Sequence, residues 1–124
     1  MGFASMLLAS MKFVFAGGNL LFTSFWYDLE MIPAIDRGNA MEEHLIYGTL
    51  CMQIDVILPV MKIPYLEKGD QVVIRPVGAY NNTQWMQFIH FRPNVVMIGE
   101  NGKVTVIRKA EDLDYLQALE QIPE

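Results

Sequence analysis

Short apolar runs, each bounded by glycine, asparagine, aspartate or another turn residue, recur along most of the chain. Runs rich in β-branched, aromatic and methionine side chains between such turns are typical of strands. The dipeptide Asn101-Gly102 lies between two of them and predicts a type I′ hairpin turn, because both central residues of that turn need positive φ. The pattern predicts strands over residues 13–16, 45–47, 56–60, 71–76, 95–98 and 104–108.

The main predicted helix lies at the end of the chain, over residues 110–121. Leucines recur there at helical spacing, and two acidic residues in its first turn complement the helix dipole. A shorter helical turn is predicted over residues 83–88, after an Asn-Asn break. Many short strands with frequent turns and one terminal helix predict a mainly β barrel or sandwich.

Residues 3–27 form the longest weakly charged stretch, with Lys12 as its one charge. Its length approaches that of a membrane span, but Gly17-Gly18-Asn19 interrupts it, and no basic segment precedes it as in a signal peptide. We favour two apolar strands joined by the Gly-Gly-Asn turn, and a membrane-anchored β domain is the alternative. Residues 1–12 are interpreted as an apolar extension or remnant, and residues 13–124 as the domain.

Composition and charge narrow the class of protein. At 124 residues, with 52% hydrophobic and 19% charged side chains, the chain matches one globular domain. A net charge of −5 without any basic run argues against nucleic-acid binding, because phosphate neutralisation needs clustered Lys and Arg. A single cysteine permits no internal disulfide, which is compatible with a cytoplasmic location, the one predicted here.

The single cysteine, Cys51, directly follows Gly48-Thr49-Leu50 and precedes an apolar run. From its residue type alone it is either a small buried core residue or a proton-transferring group. His44 and His90 are isolated, and no CxxC or HxxxH spacing exists, so no metal site is predicted. The GxSxG, GxGxxG and P-loop patterns are also absent.

Several motifs occur together in a specific order: Ala16-Gly17-Gly18-Asn19-Leu20-Leu21, Gly48-Thr49-Leu50-Cys51-x-x-x-Asp55-Val56, Lys68-Gly69-Asp70, Gly78-Ala79-Tyr80 and Phe91-Arg92-Pro93. They resemble the C-terminal β-barrel domain of the fold-type III pyridoxal-phosphate decarboxylases, the diaminopimelate, ornithine and arginine decarboxylase family. The resemblance covers nearly the whole chain, and it implies a Greek-key-like β-barrel of the alanine racemase C-terminal type, with short helices and a C-terminal helix.

The resemblance implies roles for particular residues. Cys51 matches a family cysteine that crosses a homodimer interface into the partner's active site and returns a proton to the substrate after carbon dioxide leaves. Tyr80 matches a tyrosine beside the phosphate of the cofactor, pyridoxal 5'-phosphate, and the small Gly78 and Ala79 would let the backbone approach that cofactor. Asp55 matches a family acid and is assigned to substrate binding, with a structural or interface role as the alternative.

Departures from the family pattern concern the substrate. Met52 stands where the diaminopimelate enzymes have a Glu that holds the distal ammonium group. Thr23 replaces the Arg that clamps the distal carboxylate, whereas Tyr27, four residues on, is retained. Tyr27 and Met52 therefore remain candidate substrate-binding positions. Without the charged clamps, diaminopimelate is disfavoured, and an amino acid with a less polar or differently charged tail is expected.

The resemblance also implies a partner domain. The family's cofactor-binding lysine, glycine loop and Glu-Pro-Gly-Arg segment belong to an α/β-barrel domain that precedes this region, and no lysine here follows a strand in a βα pattern. We therefore expect the chain alone to be inactive, and to act with that domain in a homodimeric lyase of amino-acid metabolism. The alternative is a non-catalytic interaction or regulatory β-barrel protein that pairs with a full-length decarboxylase.

Overall fold

Strands dominate residues 10–123, the part of the chain that this computed structural model describes. The mainly β prediction is confirmed, and the described chain divides into two compact units, one ending at Met86 and the other beginning at Gln87. The helices are a 3-10 helix, Phe22–Phe25, and α1, Leu113–Gln117. The strands are β1 (Ser10–Phe13), β2 (Glu30–Pro33), β3 (Met41–Tyr47), β4 (Val56–Pro64), β5 (Val72–Arg75), β6 (Val95–Ile98) and β7 (Val104–Arg108).

The first unit contains two sheets. Strand β3 pairs in parallel with β1 and antiparallel with β4, and β2 pairs antiparallel with β5. In β3 the buried His44 and Ile46 alternate with half-buried neighbours, which is the period of a strand with one face on a core. Register shifts on either side of Ile46 mark an irregularity in the β3–β4 ladder.

Buried apolar side chains from β2, β3, β4 and their connecting segments form the core of the first unit. Burying each such side chain stabilises the fold by about 1.5–3 kcal/mol. Strand β4 contacts both β2 and the 3-10 helix, so this core lies beneath the segment that carries the aromatic residues of the candidate site. The core side chains are Leu21, Leu29, Met31, Ile46, Ile57, Leu58, Ile63 and Leu66.

The second unit is an antiparallel hairpin of β6 and β7 followed by α1. Both strands have the predicted bounds, and the loop is closed by hydrogen bonds from Gly99 N–H to the Lys103 carbonyl (2.9 Å) and from Gly102 N–H to the Gly99 carbonyl (2.8 Å). The hairpin prediction is confirmed, but the type I′ turn is wrong because Gly102 has positive φ (74°) whereas Asn101 does not. Glycine takes this left-handed conformation without a steric penalty.

Helix α1 is shorter than the predicted helix. It begins after Asp112, which is its N-cap residue. The Asp112 side chain accepts a hydrogen bond from Tyr115 N–H at 2.8 Å. The predicted continuation to residue 121 is wrong: Leu119 is 92% exposed, and a short helix without a packed face gains little from further turns.

Three predictions for residues 13–88 are corrected by the structure. The second apolar strand predicted after Gly17-Gly18-Asn19 is wrong: Leu20 and Leu21 donate backbone bonds to the Gly17 carbonyl, which turns the chain into the 3-10 helix. The helical turn predicted over residues 83–88 is wrong: Thr83 and Gln84 close a turn that begins at Tyr80, and no helix forms over residues 83–88. The strand predicted over residues 13–16 ends at Phe13.

Other expectations remain open or fall partly outside residues 10–123. The two helices in this range have four and five residues, so neither has the length or apolar character of a membrane span. Part of the apolar stretch 3–27, residues 3–9, lies outside the described residues. The closed Greek-key barrel and the domain boundary between residues 12 and 13 stay predictions.

Candidate active site

A buried carboxylate joins two distant loops of the first unit. Asp55 is 2% exposed, and its Oδ1 accepts a hydrogen bond from Gly18 N–H at 2.6 Å. Its Oδ2 accepts a bond from Leu50 N–H at 2.7 Å, directly before Cys51. Each oxygen therefore satisfies one backbone donor, which is the usual way for a buried carboxylate to be accommodated.

Two glycines allow this arrangement because the backbone approaches the carboxylate closely. A Cβ on Gly48 would overlap Asp55 Oδ2 and would lie 2.5 Å from the Cα atom of Gly17. A Cβ on Gly17 would lie 2.8 Å from the side chain of Leu50 and 3.1 Å from Asp55 Oδ2. We call the group formed by Gly17, Gly18, Gly48, Leu50 and Asp55 the Asp55 anchor.

Cys51 lies on the turn that the Asp55 anchor holds. The turn is closed by bonds from Gly48 N–H to the Asp55 carbonyl (2.9 Å) and from Asp55 N–H to the Met52 carbonyl (3.1 Å). Cys51 is exposed and its thiol is free, which excludes the alternative of a buried core cysteine. Met52, the next residue, is half-buried. A thiol held on an anchored turn and open to solvent is available for chemistry with a group outside this chain.

Tyr80 occupies a second, separate turn. Its φ is +65°, a left-handed conformation that non-glycine residues rarely adopt and that is often found at functional sites. The Tyr80 carbonyl accepts bonds from Thr83 N–H and Gln84 N–H, both at 2.9 Å. The ring is stacked on Tyr27, with centroids 6.4 Å apart and planes 7° apart, and both rings are about half exposed. The structure therefore brings together one predicted substrate-binding residue and one predicted cofactor-binding residue.

The turn of Tyr80 is fixed to the 3-10 helix by a polar contact that the sequence did not reveal. Asn81 Oδ1 accepts bonds from Thr23 N–H (3.1 Å) and from the Thr23 hydroxyl (3.0 Å). Asn81 Nδ2 donates to the Val77 carbonyl at 3.0 Å. Both side chains are buried, so the hydrogen bonds are shielded from competing water.

Aromatic rings connect the two turns along the surface of the first unit. A Cβ on Gly18 would lie 3.0 Å from the ring of Phe25, so the 3-10 helix packs directly on the Asp55 anchor. Phe22, Trp26 and Tyr27 continue this contact as edge-to-face pairs that reach the Tyr27–Tyr80 stack. Residues 24–29 and 57–61 line an open cavity of about 380 Å³ beside these rings.

The predicted site residues thus have different environments. Cys51 and Tyr80 are exposed on separate turns, and Asp55 is buried with both oxygens on the backbone of its own chain. Its assignment to substrate binding stays a prediction. Gly78 borders open space, since a Cβ there would meet no atom within 4 Å. Within residues 10–123, no group of three or more His, Cys, Asp and Glu side chains is placed to hold a metal ion.

Comparison with known proteins identifies similar chains. No family model matches. Diaminopimelate decarboxylase of Helicobacter pylori is 38% identical over 86 residues, which are 68% of this chain and 21% of that relative. The crystal structure of diaminopimelate decarboxylase from M. jannaschii matches with a TM-score of 0.81 and 26% identity, over 91% of this chain and 26% of that chain. The H. pylori enzyme complexed with L-lysine matches with a TM-score of 0.72 and 27% identity, over 89% of this chain and 28% of that chain.

Proposed function

We propose that this chain, which is homologous to part of diaminopimelate decarboxylase, is the C-terminal β domain of a pyridoxal-phosphate-dependent amino-acid decarboxylase. The homology confirms the resemblance inferred from the sequence motifs. The chain spans about a fifth of the length of the curated relative it matches, so the activity of a whole enzyme is itself part of the proposal. In that enzyme the chain would contribute Cys51 and Tyr80 to active sites shared across a homodimer.

The exposed Cys51 on its anchored turn is the observation that carries the proposal. A proton donor must keep a fixed place while facing a substrate that another subunit binds. We expect the Cys51 thiol to give its proton to the substrate carbon that has lost carbon dioxide. The electron pair of the broken carbon–carbon bond stays on that carbon and takes up the proton, and solvent then reprotonates the thiolate.

The residues of the second turn fit a phosphate-bearing cofactor. Open space beside Gly78 leaves room for a ligand near the backbone, and the half-exposed Tyr80 presents a phenol that can donate to a phosphate oxygen. When bound, pyridoxal 5'-phosphate supplies an electron sink for the substrate. The lysine that bonds the cofactor covalently is expected in the preceding α/β-barrel domain, which makes the isolated chain inactive.

The surroundings of Thr23 support a substrate other than diaminopimelate. Thr23 is 2% exposed, and its hydroxyl already donates to Asn81. At the position of the family's carboxylate-clamping Arg there is therefore neither a cation nor a hydroxyl facing solvent. Trp26 and Tyr27 nearby are about half exposed, and aromatic faces favour apolar or cationic groups. We propose an amino acid without a distal carboxylate as substrate.

A chimera tests this function. This chain would replace the segment that it matches in the H. pylori enzyme, and the visible absorbance of the lysine-bound cofactor would report that the rest of the enzyme is intact. We expect carbon dioxide release from amino acids that lack a distal carboxylate, at a higher kcat/KM than from diaminopimelate. A chimera that binds cofactor but releases no carbon dioxide from diaminopimelate or from any of the amino acids that lack a distal carboxylate would refute the proposal.

The role of Cys51 is tested in the same chimera. Replacing Cys51 by Ala removes the proton donor, and we expect kcat to fall about 10²- to 10⁴-fold, the range typical of general acid catalysis. Cys51→Ser is the matched control for shape, because a hydroxyl fills nearly the same space but is a much weaker acid. If the serine variant kept the full rate, the thiol would have no catalytic role.

A non-catalytic interaction protein is the second candidate. The observation in its favour is the hairpin of the second unit, where apolar side chains of both strands are exposed, as at surfaces that bind a partner. In this case the chain would associate with a full-length decarboxylase and change its rate. Size-exclusion chromatography that showed a stable monomer with no complex, together with an unchanged rate, would count against it.

A further inference from the structure

We propose that Asp55 is a positioning residue that holds the turn of Cys51 through the backbone of Leu50. The link between this turn and proton transfer rests on the proposed function, whereas the anchoring itself does not. The carboxylate acts at two points: Oδ2 holds Leu50 N–H, and Oδ1 holds Gly18 N–H in a loop 37 residues away. Asp55 thereby fixes the turn to the loop that leads into the 3-10 helix.

Packing alone gives the turn little support. Between Gly48 and Val56 the buried side chains are Leu50 and Asp55, whereas Cys51, Gln53 and Ile54 face solvent. A turn with so few buried apolar contacts is expected to be mobile unless hydrogen bonds restrain it. The two hydrogen bonds that Asp55 accepts therefore tie the turn, and with it Cys51, to the rest of the unit.

The chemistry of the site requires a carboxylate in particular. Two backbone N–H donors approach the two oxygens of Asp55, so both terminal atoms of the side chain must be acceptors. Asparagine has the same shape but only one acceptor, and its NH₂ group would face a backbone N–H. Asp55→Asn is thus a nearly isosteric change that breaks one of the two hydrogen bonds. It leaves the buried asparagine NH₂ group facing the backbone N–H of Gly18 or Leu50, so that two donors oppose each other.

The first experiment uses the isolated chain and does not depend on activity. A nitroxide label attached to Cys51, the single cysteine of the chain, reports the mobility of the turn. Amide hydrogen exchange reports the hydrogen bonds of Leu50 N–H and Gly18 N–H, and we expect at least one of these two amides to exchange about ten-fold faster or more in Asp55→Asn. The label is expected to become more mobile in the same variant.

The matched control is Asp36→Asn. Asp36 also accepts a bond from a backbone N–H, that of Gly38 at 2.8 Å, but it is exposed and distant in sequence from the Cys51 turn. We expect this variant to leave both readouts unchanged. If the label in Asp55→Asn were as immobile as in the wild type, the positioning role would be lost. If Asp55→Asn does not fold, amide hydrogen exchange in the wild type tests the proposal instead. Amides of Leu50 and Gly18 that exchange without protection would overturn it.

The second experiment uses the chimera and separates positioning from general stability. We expect Asp55→Asn to lower kcat about ten- to a hundred-fold with little change in KM, because the proton donor is displaced while substrate binding is retained. Ile57→Val, a substitution in the adjacent core, serves as the control for lost stability. Equal loss of kcat in both variants would overturn the positioning role. An inactive chimera with a mobile label in Asp55→Asn would refute the decarboxylase function but leave the anchoring intact.

Discussion

Gly48→Ala is a substitution for which the structure predicts a large loss of stability. The added Cβ would overlap Asp55 Oδ2 and would lie 2.6 Å from Asp55 Cγ and 2.5 Å from Gly17 Cα. These neighbours are a buried carboxylate and a backbone atom, so neither can rotate away like the end of a flexible side chain. Relief requires displacement of the carboxylate from its two backbone donors.

The expected loss follows from those two bonds. A hydrogen bond to a charged group contributes about 1.5–3 kcal/mol, so loss of both predicts a decrease in the free energy of unfolding of about 3 kcal/mol or more. A small domain has about 5–15 kcal/mol in total, so the variant should still fold. Urea titration followed by tryptophan fluorescence measures this change in the first unit, because Trp26 and Trp85 both belong to it.

Gly78→Ala is the matched control for this experiment. The same atom is added in the same unit, but it meets nothing within 4 Å, and Gly78 is not among the glycines with positive φ. We expect its free energy of unfolding to stay within about 1 kcal/mol of the wild type, because alanine mainly restricts the unfolded chain. If Gly48→Ala were as stable as this control, the close packing of the Asp55 anchor would be incorrect.

Two further predictions concern the other polar contacts. Thr23→Val keeps the shape of the side chain but removes the hydroxyl donor to Asn81. We expect the free energy of unfolding to fall by about 1 kcal/mol in the same urea titration. An unchanged midpoint at an unchanged m-value would contradict this expectation. Asp112→Ala removes the cap of α1 and should destabilise that helix by about 1 kcal/mol. The readout is faster amide exchange at Tyr115, and Asp114→Ala, which leaves the cap in place, should not reproduce it.

Local sequence signals predicted the strands that depend on local contacts. Strands β6 and β7 have the predicted bounds because their pairing requires only the short loop around Gly102. Strand β2 gave no such signal: it is four residues long, Met31 is its one buried residue, and Pro33 ends it. The 3-10 helix was missed because residues 20–27 are apolar except for the adjacent Thr23 and Ser24, so this stretch has no clear period that separates strand from helix.

The sequence predicted which residues belong to the candidate site but not the contacts that hold them in place. Cys51 and Tyr80 were found through motifs, and their exposure is compatible with the roles assigned to them. The contacts that hold their turns join residues 37 positions apart in one case and 58 in the other. No short motif records such a pair, since each partner is an ordinary polar residue in its own segment. For this reason Asn81 was not singled out from the sequence.

The close contact between Gly48 and Asp55 also constrains how the sequence can change. A side chain larger than hydrogen at residue 48 would meet both the carboxylate of Asp55 and the Cα atom of Gly17, so a smaller group at residue 55 relieves only part of the overlap. The effects of substitutions at these positions are therefore expected to be non-additive, and the order in which they arise decides how stable the intermediate protein is. An evolutionary path that replaces the carboxylate first lowers the steric cost of a later change at residue 48, whereas the reverse path begins with the full clash.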